Sequence, residues 1–112
     1  MSEDFQYKNM LYDFYGGLLT EKQRAYFENH YMEDLSLAEI AGQYGVTPQA
    51  VADLIKRVSI LLENYEKTLG LLKKHNRNLT LSQNISDILS EISNPAYAER
   101  AAAIRRILEE MV

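Results

Sequence analysis

Apolar positions recur every three or four residues along most of the chain, and no run alternates apolar and polar residues between turn signals as a strand would. The pattern predicts helices throughout. The first covers roughly Asp4 to Phe14, with Tyr7, Met10, Leu11 and Phe14 on its apolar face, and Gly16-Gly17 ends it through a left-handed glycine. Thr20-Glu21-Lys22-Gln23 reads as a capping box opening a second helix, lined by Phe27, Tyr31 and the stem of Arg24 as far as Met32. Ser36-Leu37-Ala38-Glu39 is a second capping box, opening a short third helix that Gly45 stops. Thr47-Pro48 supplies an N-cap and a first-turn proline for the fourth.

That fourth helix carries a heptad seam: Val51, Ile55, Val58, Leu62, Tyr65, Leu69 and Leu72. Continuous from Pro48 to Lys74, it would be about 40 Å long, with Gly70 a weak point costing about 1 kcal/mol. Lys73 to Asn78 reads as a polar hinge or an exposed helix end. Leu81, Ile85, Ile88, Leu89 and Ile92 predict a fifth helix, and Asn94-Pro95 breaks it. Tyr97, Ala101, Ile104, Leu108 and Met111 predict a sixth. The expected fold is all-α: a helix-turn-helix core with a long fourth helix (1–78), then a C-terminal helical pair (79–112) packed on it or on a partner copy.

The 112 residues contain no cysteine, which excludes disulfides, thiolate nucleophiles and Cys-ligated metal sites. The longest apolar run is Ala101 to Ile104, too short to span a bilayer. The start, Met1-Ser2-Glu3-Asp4, is acidic and unlike a secretory or mitochondrial signal. A cytoplasmic protein without membrane insertion is expected. The net charge of −4 argues against strong non-specific nucleic-acid binding, which rests on phosphate neutralisation.

Candidate chemistry is sparse. His30 and His75 are far apart, and neither has a second histidine at i+3 or i+4 to make a helix-borne metal pair. Ser59 and Ser90 sit in amphipathic helices without a nucleophile elbow. Gly16-Gly17 lacks the lysine of a phosphate loop. No enzyme, cofactor, metal or small-molecule substrate is expected. The eight tyrosines follow the apolar stripes and read as core and rim packing.

Leu37 to Arg57 is the informative stretch. Ala41 is small enough for a steep helix crossing, Gly45 tolerates the positive φ of a tight turn with Val46 buried behind it, and Ile40, Val51 and Ile55 lock the pair. In a DNA reader this places the start of the second helix in the major groove. Thr47, Gln49 and Ala52 would then face bases, with Lys56 and Arg57 reaching phosphate. Asp53 opposes such binding, and a plain helical hairpin or a protein-binding face is the alternative. The seam residues Val58, Leu62, Tyr65, Leu69 and Leu72 are candidates for a homodimer interface, unless the tail covers them.

Leu19 to Arg24 followed by Leu35 to Ala41 resembles region 4 of sigma-70-type factors. Leu11 to Tyr15, Leu18 to Gln23, Leu35 to Ala41 and Gln49 to Arg57 together resemble more closely the bacterial YlxM family. The motifs cover about Phe5 to Leu72, and none is evident from Thr80 onward. The resemblance implies an all-helical fold with a sigma-region-4-like helix-turn-helix. It implies a regulatory role connected with the signal recognition particle, with particle protein or RNA, and/or DNA, as partner. The family's Ser-Arg before Gln-Ala-Val is Thr47-Pro48 here, and its polar Tyr and Asn are Ala52 and Leu54. Those differences remove polar readers from the second helix. A sequence-specific DNA-binding transcriptional regulator is the alternative function.

Overall fold

A computed structural model describes residues 3–112. Met1 and Ser2, part of the acidic start, lie outside them. The described residues form six α-helices and no strand: α1 (Glu3–Tyr15), α2 (Glu21–Tyr31), α3 (Leu37–Tyr44), α4 (Pro48–Leu69), α5 (Leu71–Ser90) and α6 (Ala98–Met111). Short 3-10 turns precede α2 and α6. The fold is all-α, as the periodicity predicts. It comprises two compact units, 1–72 and 73–112. Their boundary falls in the first turn of α5, six residues before the division expected between 78 and 79.

The first unit holds two apolar clusters that share α2 and α4. Leu11, Tyr15, Leu19, Phe27, Val58, Leu62 and Leu72 form one. Tyr26, Ile40, Ala41, Val51 and Ile55 form the other. Consecutive residues on α2, Tyr26 and Phe27, therefore point into different clusters. Arg24 is exposed and lines neither, contrary to expectation. On α1 the buried residues are Leu11 and Tyr15, while Tyr7, Met10 and Phe14 lie at the surface. Two apolar stripes compete on this helix, and the one aligned with Phe27 and Leu62 is buried.

Gly16 does not take the left-handed conformation expected of it; among the described glycines, positive φ is found at Gly45 and Gly70. Its reason is steric. A Cβ at Gly16 would lie 3.0 Å from the Tyr12 ring. The Tyr12 hydroxyl donates to Glu28, and burial together with that carboxylate pushes its pKa up to about 12. An unfolded tyrosine ionises near 10. Tyr12 thus favours the folded state fully below pH 10, and that contribution is lost as pH rises towards 12. The melting temperature should fall through this window, and Tyr12→Phe should flatten the fall.

The fourth helix is not continuous to Lys74. It ends at Leu69 after about 33 Å. Gly70 adopts φ 62°, ψ 26° and donates its N–H to the Glu66 carbonyl. The glycine acts as a helix cap, a stronger role than a weak point within a helix. The chain restarts at once because the new helix finds acceptors waiting. The Leu71 N–H donates to the Tyr15 hydroxyl (3.0 Å) and the Leu72 N–H to Glu66 Oε1 (3.0 Å). The Tyr15 hydroxyl itself donates to Glu66 Oε1 (2.6 Å). Burial, then this bond, raises the Tyr15 pKa. Lys73 to Asn78 is consequently neither hinge nor helix end but part of α5.

The interface role expected of the seam is corrected by the same packing. Val58, Leu62 and Leu72 are buried in the chain's own first cluster, and Tyr65 packs on it. Leu69 alone of the five is more than half exposed. Heptad spacing marked a core helix here because α1 and α2 supply its partner surface.

In the second unit Leu89 and Ala101 are buried, and Arg105 Nη2 donates to Ser90 Oγ (3.2 Å) between the two helices. Asn94 caps the intervening turn, its side chain accepting from the Ala96 N–H.

Candidate functional site

The helix-turn-helix is α3, its turn and the start of α4. Ser36 Oγ accepts from the Glu39 N–H while Glu39 Oε1 accepts from the Ser36 N–H, each at 3.1 Å. This reciprocal cap fixes where α3 begins. Two contacts tie α3 back to α2. The Leu35 N–H donates to the Asn29 carbonyl, and Asn29 Nδ2 donates to the Tyr44 hydroxyl. The Tyr44 ring lies against Tyr26, centroids 4.6 Å apart. The His30 ring Nδ1 lies 3.1 Å from the Leu35 carbonyl oxygen, so this histidine braces the α2–α3 loop.

Gly45 takes the left-handed conformation (φ 65°, ψ 35°), and the Val46 N–H closes the turn on the Ala41 carbonyl. Thr47 Oγ1 accepts from the Ala50 N–H, which starts α4. Ile40, Ala41, Val51 and Ile55 lock the crossing from beneath. The turn therefore presents the first residues of α4 outward.

The five sequence-derived contact residues divide into two groups. Gln49 and Lys56 are exposed on the outer side of α4, with Ala52 half-buried beside them. Gln49 is already engaged, its Nε2 donating to Asp53 Oδ1 (2.9 Å). Thr47 is exposed, but its hydroxyl serves as the cap. Arg57 belongs to a different surface, a cavity of about 260 Å³ between α2 and α4. Lys22, Tyr26, Val46, Asp53 and Leu54 line it with Arg57. Val46 is thus at the rim of this groove rather than buried, because the turn carries it outward.

Lys22 escaped the sequence reading. It sits 5.8 Å above the Tyr26 ring and shares the groove with Arg57. Its place in the first turn of a capped helix was the available signal, since it predicts an exposed side chain. Among the described residues, no group of three or more His, Asp or Glu side chains is placed to hold a metal. No described helix is long and apolar enough to cross a membrane.

This arrangement of capped helices has known relatives. The family described as "Putative helix-turn-helix protein, YlxM / p13 like" (UPF0122) matches residues 2–101. The chain belongs to this family. A UPF0122 protein of Geobacillus kaustophilus is 46% identical over 109 residues, covering 97% of this chain and 98% of its own length. One from Thermoanaerobacter sp. is 40% identical, covering 99% and 92%. One from Desulforamulus reducens is 43% identical, covering 96% of each. The YlxM/p13-like match runs through α5 into α6, well past the Leu72 at which recognisable motifs stop. The second unit therefore belongs largely to the family pattern.

Proposed function

We propose that this YlxM/p13-like chain is a cytoplasmic, non-enzymatic regulatory protein of the signal recognition particle pathway. In this reading it acts by contact with the particle's protein or RNA, not by reading a DNA operator. The pathway comes from the motif resemblance. The mode of action rests on one observation, the charge of the unit that carries the helix-turn-helix. Residues 1–72 hold six lysines and arginines against eleven aspartates and glutamates, a balance of −5. The acidity of the whole chain is concentrated in the part that would have to approach phosphate. Such a unit repels nucleic-acid phosphate at long range, in RNA as in DNA, which favours the particle's protein over its RNA as the contact of the first unit. At short range, the Gln49 amide is bonded to Asp53, and Ala52 and Leu54 offer no hydrogen bonds to base edges.

The second reading, a sequence-specific DNA-binding transcriptional regulator, is favoured by the exposure of Thr47, Gln49 and Lys56 at the outward start of α4. Duplex binding at physiological salt separates the two. The proposal expects dissociation constants no tighter than the non-specific range of about 10⁻⁴–10⁻⁶ M. Gln49→Ala should leave the ranking of sequences unchanged. Nanomolar, sequence-selective binding that Gln49→Ala relaxes and Lys56→Ala weakens evenly would establish the second reading instead.

A further inference from the structure

The hairpin of α5 and α6 is apolar on one flank and uncovered there. Leu81, Ile85 and Ile88 follow one another at spacings of four and three along α5, and Ile92 extends the line just beyond the helix. Ile104, Ile107 and Met111 form the corresponding line on α6. Ile88, Ile107 and Met111 are 62%, 56% and 68% exposed. The helices touch one another through a different strip, in which Leu89 and Ala101 are buried and Leu108 is half-buried. On the helical wheel, each exposed line lies a quarter-turn to one side of that strip. Because α5 and α6 run antiparallel, both lines then fall on the same flank. The groove between them, about 150 Å³, is bordered by Leu81, Ile85, Leu108 and Met111, as this requires.

The surface is large for a single chain. The seven apolar side chains of this flank are each 39–68% exposed, on the order of 700 Å² together, above the roughly 300–600 Å² of a typical monomer's largest patch. It approaches the roughly 800 Å² that each partner contributes to a standard stable interface. The charges of residues 73–112, six basic against five acidic, nearly cancel. Two copies therefore meet without the repulsion that two −5 units would feel. A two-helix hairpin with one apolar face is also half of a two-layer architecture.

We propose that the α5–α6 hairpin is the dimerisation element of this protein, its apolar flank covered by the same flank of a second copy to make a four-helix bundle. The α4 seam plays no part, since it lies within the first unit's core. Light scattering on the full chain at tens of micromolar tests this. The expected mass is twice 12.9 kDa. Ile88→Glu and Ile107→Glu should each halve it with helical circular dichroism retained, because both positions face solvent in the single chain. Leu69→Glu, at the exposed end of α4, should leave the dimer intact. If a glutamate variant loses helix, the double variant Ile88→Ala/Ile107→Ala should still raise the dimer dissociation constant at least tenfold. A parent mass of 12.9 kDa would overturn the proposal, leaving the flank to another protein or to the chain's own first unit. A dimer indifferent to the hairpin substitutions, or dissociated by Leu69→Glu alone, would overturn it as well.

Discussion

Leu62→Glu is expected to unfold the first unit, although heptad spacing alone would make it an interface variant. Leu62 has no solvent exposure and lies among Leu11, Tyr15, Phe27 and Val58. A carboxylate there either stays charged in apolar surroundings or is protonated, and each carries a cost. Together with the lost apolar contact, the penalty is at least about 4 kcal/mol. That is a large part of the 5–15 kcal/mol that holds a typical domain together. Urea unfolding followed by circular dichroism should show most of the transition displaced to low denaturant. A normal unfolding curve accompanied by a halved mass would return Leu62 to an interface.

Phe27→Ala should cost about 3–5 kcal/mol, the usual loss for a large buried aromatic. Phe27 is fully buried and is the centre of a three-ring stack. Tyr12 lies on one side (centroids 4.7 Å apart, planes at 11°) and Tyr31 on another (4.5 Å, 25°). Removing the ring opens a cavity joining α1, α2 and α4, and it leaves Tyr12 and Tyr31 without their stacking partner. The paired control is Phe14→Ala. Phe14 is 38% exposed on the outer side of α1, and its truncation should cost much less. Equal losses at the two positions would contradict the assignment of the core.

The local features of this fold were legible because their causes are local. The capping boxes at Thr20 and Ser36 and the cap at Thr47 each need only three or four neighbouring residues, and all three stand where the sequence put them. The features that depend on distant partners were not legible. Tyr7, Met10 and Phe14 make as good a stripe on α1 as Leu11 and Tyr15, and only α2 and α4 choose between them. Gly70 had two readings, a cost inside a helix or a cap at its end. The decisive contacts come from Tyr15, fifty-six residues before Leu71.

The same limit applies to the candidate site. The turn geometry and the exposure of Thr47, Gln49 and Lys56 follow from the local pattern. The i,i+4 spacing of Gln49 and Asp53 also foreshadows their hydrogen bond. Lys22 joins Arg57 only through the packing of α2 against α4, which no spacing rule conveys. Heptad spacing on α4 was equally consistent with its own core and with a partner. The neighbouring rings of α1 and α2 decided in favour of the core. On α5 the analogous line at Leu81, Ile85 and Ile88 found no such cover.

We propose above that this protein works by contact with the signal recognition particle and not on DNA. Equilibrium binding of the purified full chain to the particle's GTPase, to its RNA and to their complex tests it most directly, with duplex DNA in parallel at physiological salt. Saturable binding to at least one particle component and a change in its GTP turnover are expected, with DNA bound only weakly and without sequence preference. No binding to any particle component, together with tight sequence-selective binding to DNA, would contradict it.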